Sequence, residues 1–165
     1  MTTTIAQKIN PHLWFDSQAE EAAKFYTSIF KNSRILHISR YGEAGAKVSG
    51  RPKGTVMVVV FDLEGQRFMA INGGPIFKFT HAISFLVNCE SQQEVDELWN
   101  KLTEGGEIEQ CGWLKDKFGL SWQIVPRVLG EMMQDKDQDK QERVMEAMLQ
   151  MKKIDIKGLE EAYAR

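Results

Sequence analysis

The chain has 165 residues, 42% of them hydrophobic and 27% charged, with a formal net charge of −2. Such a balance suits one globular domain, or two half-sized modules sharing a core, and excludes a general attraction for nucleic acid or an anionic membrane. No segment reaches the roughly 18 uninterrupted apolar residues of a membrane span. Met1 to Lys8 lacks the basic start and apolar core of a leader peptide. Cys89 and Cys111 match neither a zinc spacing nor a secreted disulfide framework, so reduced thiols in the cytoplasm are expected.

Residues 1–7 read as frayed. From Ile9 to Phe15 the pattern has period two, with Ile9, Pro11, Leu13 and Phe15 against Asn10, His12 and Trp14, which predicts a strand. Ser17-Gln18-Ala19-Glu20 has the form of a capping box, and Ala19, Ala22, Ala23, Tyr26, Ile29 and Phe30 then fall on one helical stripe that Asn32 stops. Residues 34–41 read as a second strand. Gly42 to Gly54 reads as a mobile loop or part of a lid. Thr55 to Asp62 is dense in β-branched residues, and Glu64-Gly65 turns it into a hairpin with Arg67 to Ile71.

The capping box returns 74 residues later as Ser91-Gln92-Gln93-Glu94, after an apolar strand over Ala82 to Val87. Its helix carries Val95, Leu98, Trp99 and Leu102 and stops at Gly105-Gly106. Short strands follow near 107–110, 113–116 and 121–125. The element order is therefore βαβββ twice, over 8–75 and 76–126, with a helical extension over 127–165. Asp135 to Lys140 reads as a solvated linker, and Asp155 as the cap of a last helix over Ile156 to Tyr163. Met132, Met133, Met145, Met148 and Met151 read as packing on the sheet, or as an adaptable homodimer surface.

This order resembles the vicinal oxygen chelate superfamily, and the wording resembles its PhnB-like branch, whose members often carry the name 3-demethylubiquinone-9 3-methyltransferase. The matching stretches are Leu13 to Tyr26, Phe68 to Pro75, Gly105-Gly106, Asp116 to Gln123 and Arg143 to Leu149. The resemblance implies an α+β fold whose two curved mixed sheets enclose a cavity, with a C-terminal helical extension. In enzymes of the superfamily a divalent metal is held there by His or Glu from the first and last strands of each module.

The resemblance also says where such ligands would stand. The first-strand position lies five residues before the last inward-packing apolar residue, giving Asn10 before Phe15 and Ala82 before Val87. The last-strand positions fall on Met69, with Asn72 as runner-up, and on Gln123. None of these is a histidine or carboxylate, which argues for no metal cofactor. If a divalent metal is held after all, His12, His81 (after a one-residue register shift) and Gln123 are the candidates.

The expected ligand-binding residues are Asn10, His12, Trp14, Asn72, Trp113 and Gln123, around a small, partly apolar molecule. His37 reads as structural or surface, and Asp116 with Lys117 as a solvated pair beside a turn. A methyltransferase of Rossmann type needs a strand, a glycine loop and a helix to hold S-adenosylmethionine. The glycine pieces Gly42 to Gly45 and Gly73-Gly74-Pro75 do not read as helix openings. The competing readings are thus a metal-free binding protein, a metal-dependent lyase, isomerase or dioxygenase, and the methyltransferase of the family name.

Overall fold

The computed structural model describes residues 7–165; of the frayed start expected over 1–7, all but Gln7 lies outside the described residues. Two compact units divide the chain, one ending at Lys78 and one beginning at Phe79.

The first unit runs β1 (His12–Phe15), α1 (Ala19–Ile29), β2 (Arg34–Arg40), α2 (Glu43–Ser49), β3 (Val56–Leu63) and β4 (Gln66–Asn72). Its sheet has the order β1-β4-β3-β2, with β1 parallel to β4 and the other pairs antiparallel. Alternation decides its faces. Leu13, Phe15, Val59, Phe61, Phe68 and Ala70 are buried, and α1 packs on them with Ala22, Ala23 and Tyr26. Tyr26 stacks on Phe61 at 6.4 Å between ring centroids, and Phe61 on Phe68 at 5.7 Å. Glu64 and Gly65, with φ of 47° and 80°, make the tight turn that joins β3 to β4.

Two expectations for this unit fail. The first capping box does not form: α1 begins one residue later, at Ala19, and Gln18 at its N-cap makes no side-chain capping bond, its Oε1 accepting instead from the Ser17 N–H at 3.2 Å. The free N–H of Ala19 is taken instead by Asn72 Oδ1, at 2.8 Å. The stretch from Gly42 to Gly54 is not a plain loop either, because α2 forms inside it. Gly42 stands at the N-cap of α2, so this glycine piece does precede a helix. That helix has seven residues and leaves an antiparallel hairpin, which is not the crossover of a nucleotide-binding opening.

The second unit runs β5 (Ser84–Cys89), α3 (Gln92–Thr103), β6 (Glu107–Ile108), β7 (Trp113–Lys115) and β8 (Ser121–Pro126). Three helices follow, α4 (Arg127–Met132), α5 (Gln138–Leu149) and α6 (Ile156–Ala164). Its sheet repeats the first topology, in the order β5-β8-β7-β6 with β5 parallel to β8. Here the capping box forms. Ser91 Oγ accepts from the Glu94 N–H at 3.2 Å, and Glu94 accepts from the Glu90 N–H at 2.7 Å. The strand before it runs two residues later than expected, and Ala82 lies in the preceding turn.

The extension has a core of its own, with Leu129, Met132, Val144, Ile154 and Leu159 buried and Met133, Met148, Met151 and Val125 packed against it. It is pinned to the sheet by backbone bonds from Cys111 N–H to Met151 and from Gly112 N–H to Lys152, at 2.8 and 2.7 Å. Gly112, at φ 81°, has no room for a side chain, because a Cβ there would lie 2.8 Å from the Ile124 carbonyl. The acidic run is ordered rather than a plain linker: Asp137 caps α5, and Asp135 accepts from the Tyr163 hydroxyl. Asp155 caps α6 as expected, accepting from the Gly158 N–H at 3.0 Å.

Candidate functional site

Each sheet buries one face under its helix and leaves the other uncovered by that helix. In the first unit the register places His12, Met69, Val60 and His37 in one row across the open face, and Trp14, Ile71, Val58 and Ser39 in the next. His37 therefore shares the face of His12, which parity within a single strand did not reveal. At about 4.8 Å per strand the two imidazoles stand roughly 14 Å apart, too far to act on one atom.

The other expected residues of this unit are committed to the fold. Trp14 lies flat against Gly73, where a Cβ would fall 2.1 Å from the ring. Its indole N–H donates to the Gly74 carbonyl at 2.9 Å, and Phe77 meets the ring edge-on at 5.0 Å. Asn72 uses both ends of its amide inside the unit, accepting from Ala19 and donating to the Val56 carbonyl at 3.1 Å. Asn10 stands just before β1 and donates to the Gln7 carbonyl at 3.2 Å. Its buried Oδ1 has no partner among the described residues.

The second sheet gathers more polar chemistry. Trp122 and Ile124 are buried on the helix side, so Ser121, Gln123 and Val125 take the open face. The first row there is Leu86, Gln123 and Trp113, and the next is Ser84, Ser121, Lys115 and Glu107. Gln123 Nε2 donates to Ser84 Oγ at 2.9 Å. Lys115 Nζ stands 3.2 Å from Glu107 and 3.7 Å from Glu109, and His81 Nε2 lies 2.6 Å from the same Glu109 oxygen. At the far end Val125 passes under the extension.

Ser84 is a residue that sequence reasoning missed. The last buried residue of β5 is Cys89, not Val87, so the position five residues earlier is Ser84 rather than Ala82. The signal was available, because the 74-residue offset between the two serine boxes maps Asn10 onto Ser84. Ser121, Lys115 and Glu109 were also missed; only the pairing of β7 with β8 and β6 brings them together.

Asp116 is not a solvated residue but buried, and it holds the turn before β8. Its Oδ1 accepts from the Phe118 and Leu120 N–H groups at 2.8 and 3.1 Å, and its Oδ2 from the Trp122 indole at 2.9 Å.

A family model described as 3-demethylubiquinone-9 3-methyltransferase matches residues 7–125. The chain belongs to that family. The PhnB protein from Bacillus cereus is 42% identical over 73% of this chain and 99% of its own, with a TM-score of 0.65. Two further structures share the fold. Protein PA1353 from Pseudomonas aeruginosa is 22% identical over 73% of this chain and 98% of its own, at a TM-score of 0.59. The fosfomycin resistance protein FosX from Listeria monocytogenes is 17% identical over 79% of this chain and 99% of its own, at 0.54. No curated protein matches the chain. The α+β fold with two mixed sheets is therefore that of the vicinal oxygen chelate superfamily.

The positions at which the resemblance places the superfamily's metal ligands carry Asn10 and Met69 in the first unit and, with β5 ending at Cys89, Ser84 and Gln123 in the second. An amide with a thioether in the first unit, and a hydroxyl with an amide in the second, do not fit a divalent cation that prefers imidazole or carboxylate donors. Ser84 and Gln123 are bonded to each other besides. The alternative ligand His81 faces Glu109, with the Lys115 ammonium beside it to repel a cation. Among the described residues no group of three His, Cys, Asp or Glu side chains converges.

Proposed function

We propose that this protein binds a small, partly apolar organic molecule through hydrogen bonds and apolar contact, without a metal ion, as a cytoplasmic homodimer. The observation that carries this reading is the Ser84–Gln123 hydrogen bond, in which two neutral side chains meet at the positions where the resemblance places metal ligands. Leu86 and Trp113 flank Gln123 in its row and supply the apolar contact. In the first unit His12, Ile71 and Val58 offer a similar mixture beside Trp14. Among the described residues no helix is long and apolar enough to cross a membrane.

The test is a thermal-shift screen of metabolites and antibiotics on chelator-treated protein, followed by native mass spectrometry. At least one compound is expected to raise the melting temperature, since a ligand at about 100 times its Kd stabilises the native state by about 2.7 kcal/mol. S-adenosylmethionine is expected to give no shift, and the mass of the native species to be that of a dimer. Stoichiometric metal in the purified protein, lost in His12→Ala, would overturn the metal-free reading in favour of a metal-dependent enzyme.

A further inference from the structure

We propose that Ser84, Ser121 and Lys115 bind the carboxylate of a small organic acid whose apolar body lies along Leu86 and Trp113. The inference rests on the small-molecule reading above and names the class of ligand. The three residues are direct register partners across β5, β8 and β7, so they form a row about 10 Å wide on the face of the second sheet turned away from α3, with Ser121 buried at its centre.

What distinguishes the row is that all three side chains have protons to give. Ser84 Oγ accepts from Gln123, which leaves its own O–H to donate. Ser121 is fully buried, and its hydroxyl has no partner among the described residues. An unpaired buried hydroxyl destabilises the empty protein, and a water or a ligand oxygen that accepts its proton relieves that cost. Lys115 Nζ sits 3.2 and 3.7 Å from Glu107 and Glu109, longer than the 2.7–2.9 Å or so of a tight charge-assisted bond.

A carboxylate answers this set, because it accepts at two oxygens and donates nothing. The charged groups facing Lys115 decide how it enters. Glu109 is shared with His81, whereas Glu107 is 70% exposed at the rim and the easier of the two to exchange for a ligand carboxylate. The neighbouring row offers Leu86, half exposed, and Trp113 on either side of Gln123, which suits an apolar body.

The experiment is calorimetric titration of chelator-treated protein, at low salt, with benzoate, phenylacetate and their amides. At least one acid is expected to bind, and its amide to bind at least tenfold more weakly. Ser121→Ala and Lys115→Met should each weaken the acid at least tenfold. Ser121→Ala should at the same time raise the melting temperature of the empty protein, which a merely structural serine would not do. Equal binding of acid and amide, or unchanged binding in both variants, overturns the proposal. If the acids fail while another compound from the screen binds, the carboxylate inference falls and the small-molecule reading stands; if nothing binds, both fall.

Discussion

Asn72 Oδ1 accepts the amide N–H of Ala19, 53 residues earlier in the chain, at 2.8 Å. The last residue of β4 thereby caps the first turn of α1. The same side chain donates to the Val56 carbonyl, and the backbone carbonyl of Asn72 accepts from the Tyr41 hydroxyl at 2.7 Å. Replacing Asn72 by Ala leaves a buried donor and a buried acceptor unpaired, so a loss of about 1–3 kcal/mol is expected. Asn72→Asp keeps the acceptor for Ala19 but sets a buried carboxylate oxygen against the Val56 carbonyl, and should cost at least as much as Asn72→Ala at neutral pH. Urea unfolding with an unchanged slope would report the effect as one on stability alone.

Asp116 plays the matching part in the second unit, where one carboxylate holds two turn amides and the Trp122 indole. Asp116→Ala removes three acceptor contacts at once from a buried place. The expected cost is about 3 kcal/mol, given about 1–3 kcal/mol for each buried partner left unmade and partial relaxation. Because the freed indole borders the core, the Trp fluorescence of the folded variant should also shift.

The repeat was legible because each strand and helix opening writes its own local pattern. Alternation in Leu13-Trp14-Phe15 and the helical stripe from Ala19 to Ile29 need no partner to be read. The site was legible only in part. Gln123 was named from its last-strand position, whereas Ser84 was displaced by a two-residue error in where β5 ends, and only the pairing of β7 with β8 sets Trp113 beside Gln123. His37 joins the row of His12 only through two intervening strands. Asn72 and Asp116 looked like cavity and solvent residues because nothing local shows that a side chain will cap a helix 53 residues away or take an indole N–H. Long-range pairing is what the sequence pattern does not carry.

Cys89 is fully buried, and burial, with Glu94 and Glu90 nearby, pushes its thiol up to about 12. Only the thiolate attacks disulfide reagents, so at pH 8 Cys89 should be inert in the folded protein. A Cys111→Ser variant isolates it. Reaction with an aromatic disulfide should be absent in buffer and complete in concentrated urea; rapid reaction of the native variant would show that the β5 end opens readily.

Asp96 ties α3 to the extension. It meets Lys153 Nζ at 2.7 Å and accepts from Gln92 Nε2 at 3.0 Å, while the Gln92 amide also grips the Ile154 carbonyl at 3.1 Å and the Ile156 N–H at 2.8 Å. The Lys153 bond first, and the Gln92 bond second, hold the Asp96 carboxyl below its usual range. A lowered folded value means that the unfolded chain takes up the proton first. The stabilisation is therefore full above the unfolded value of about 3.9 and is lost as pH falls through the folded one. Asp96 is 42% exposed on its side chain, which limits the effect at neutral pH to about 1 kcal/mol or less. Asp96→Asn should melt lower than the wild type at pH 7, and the gap should close between about pH 4 and pH 2. Melting curves across that range check it, and a gap that persists at pH 2 would mean that Asp96 stabilises the extension through packing rather than charge.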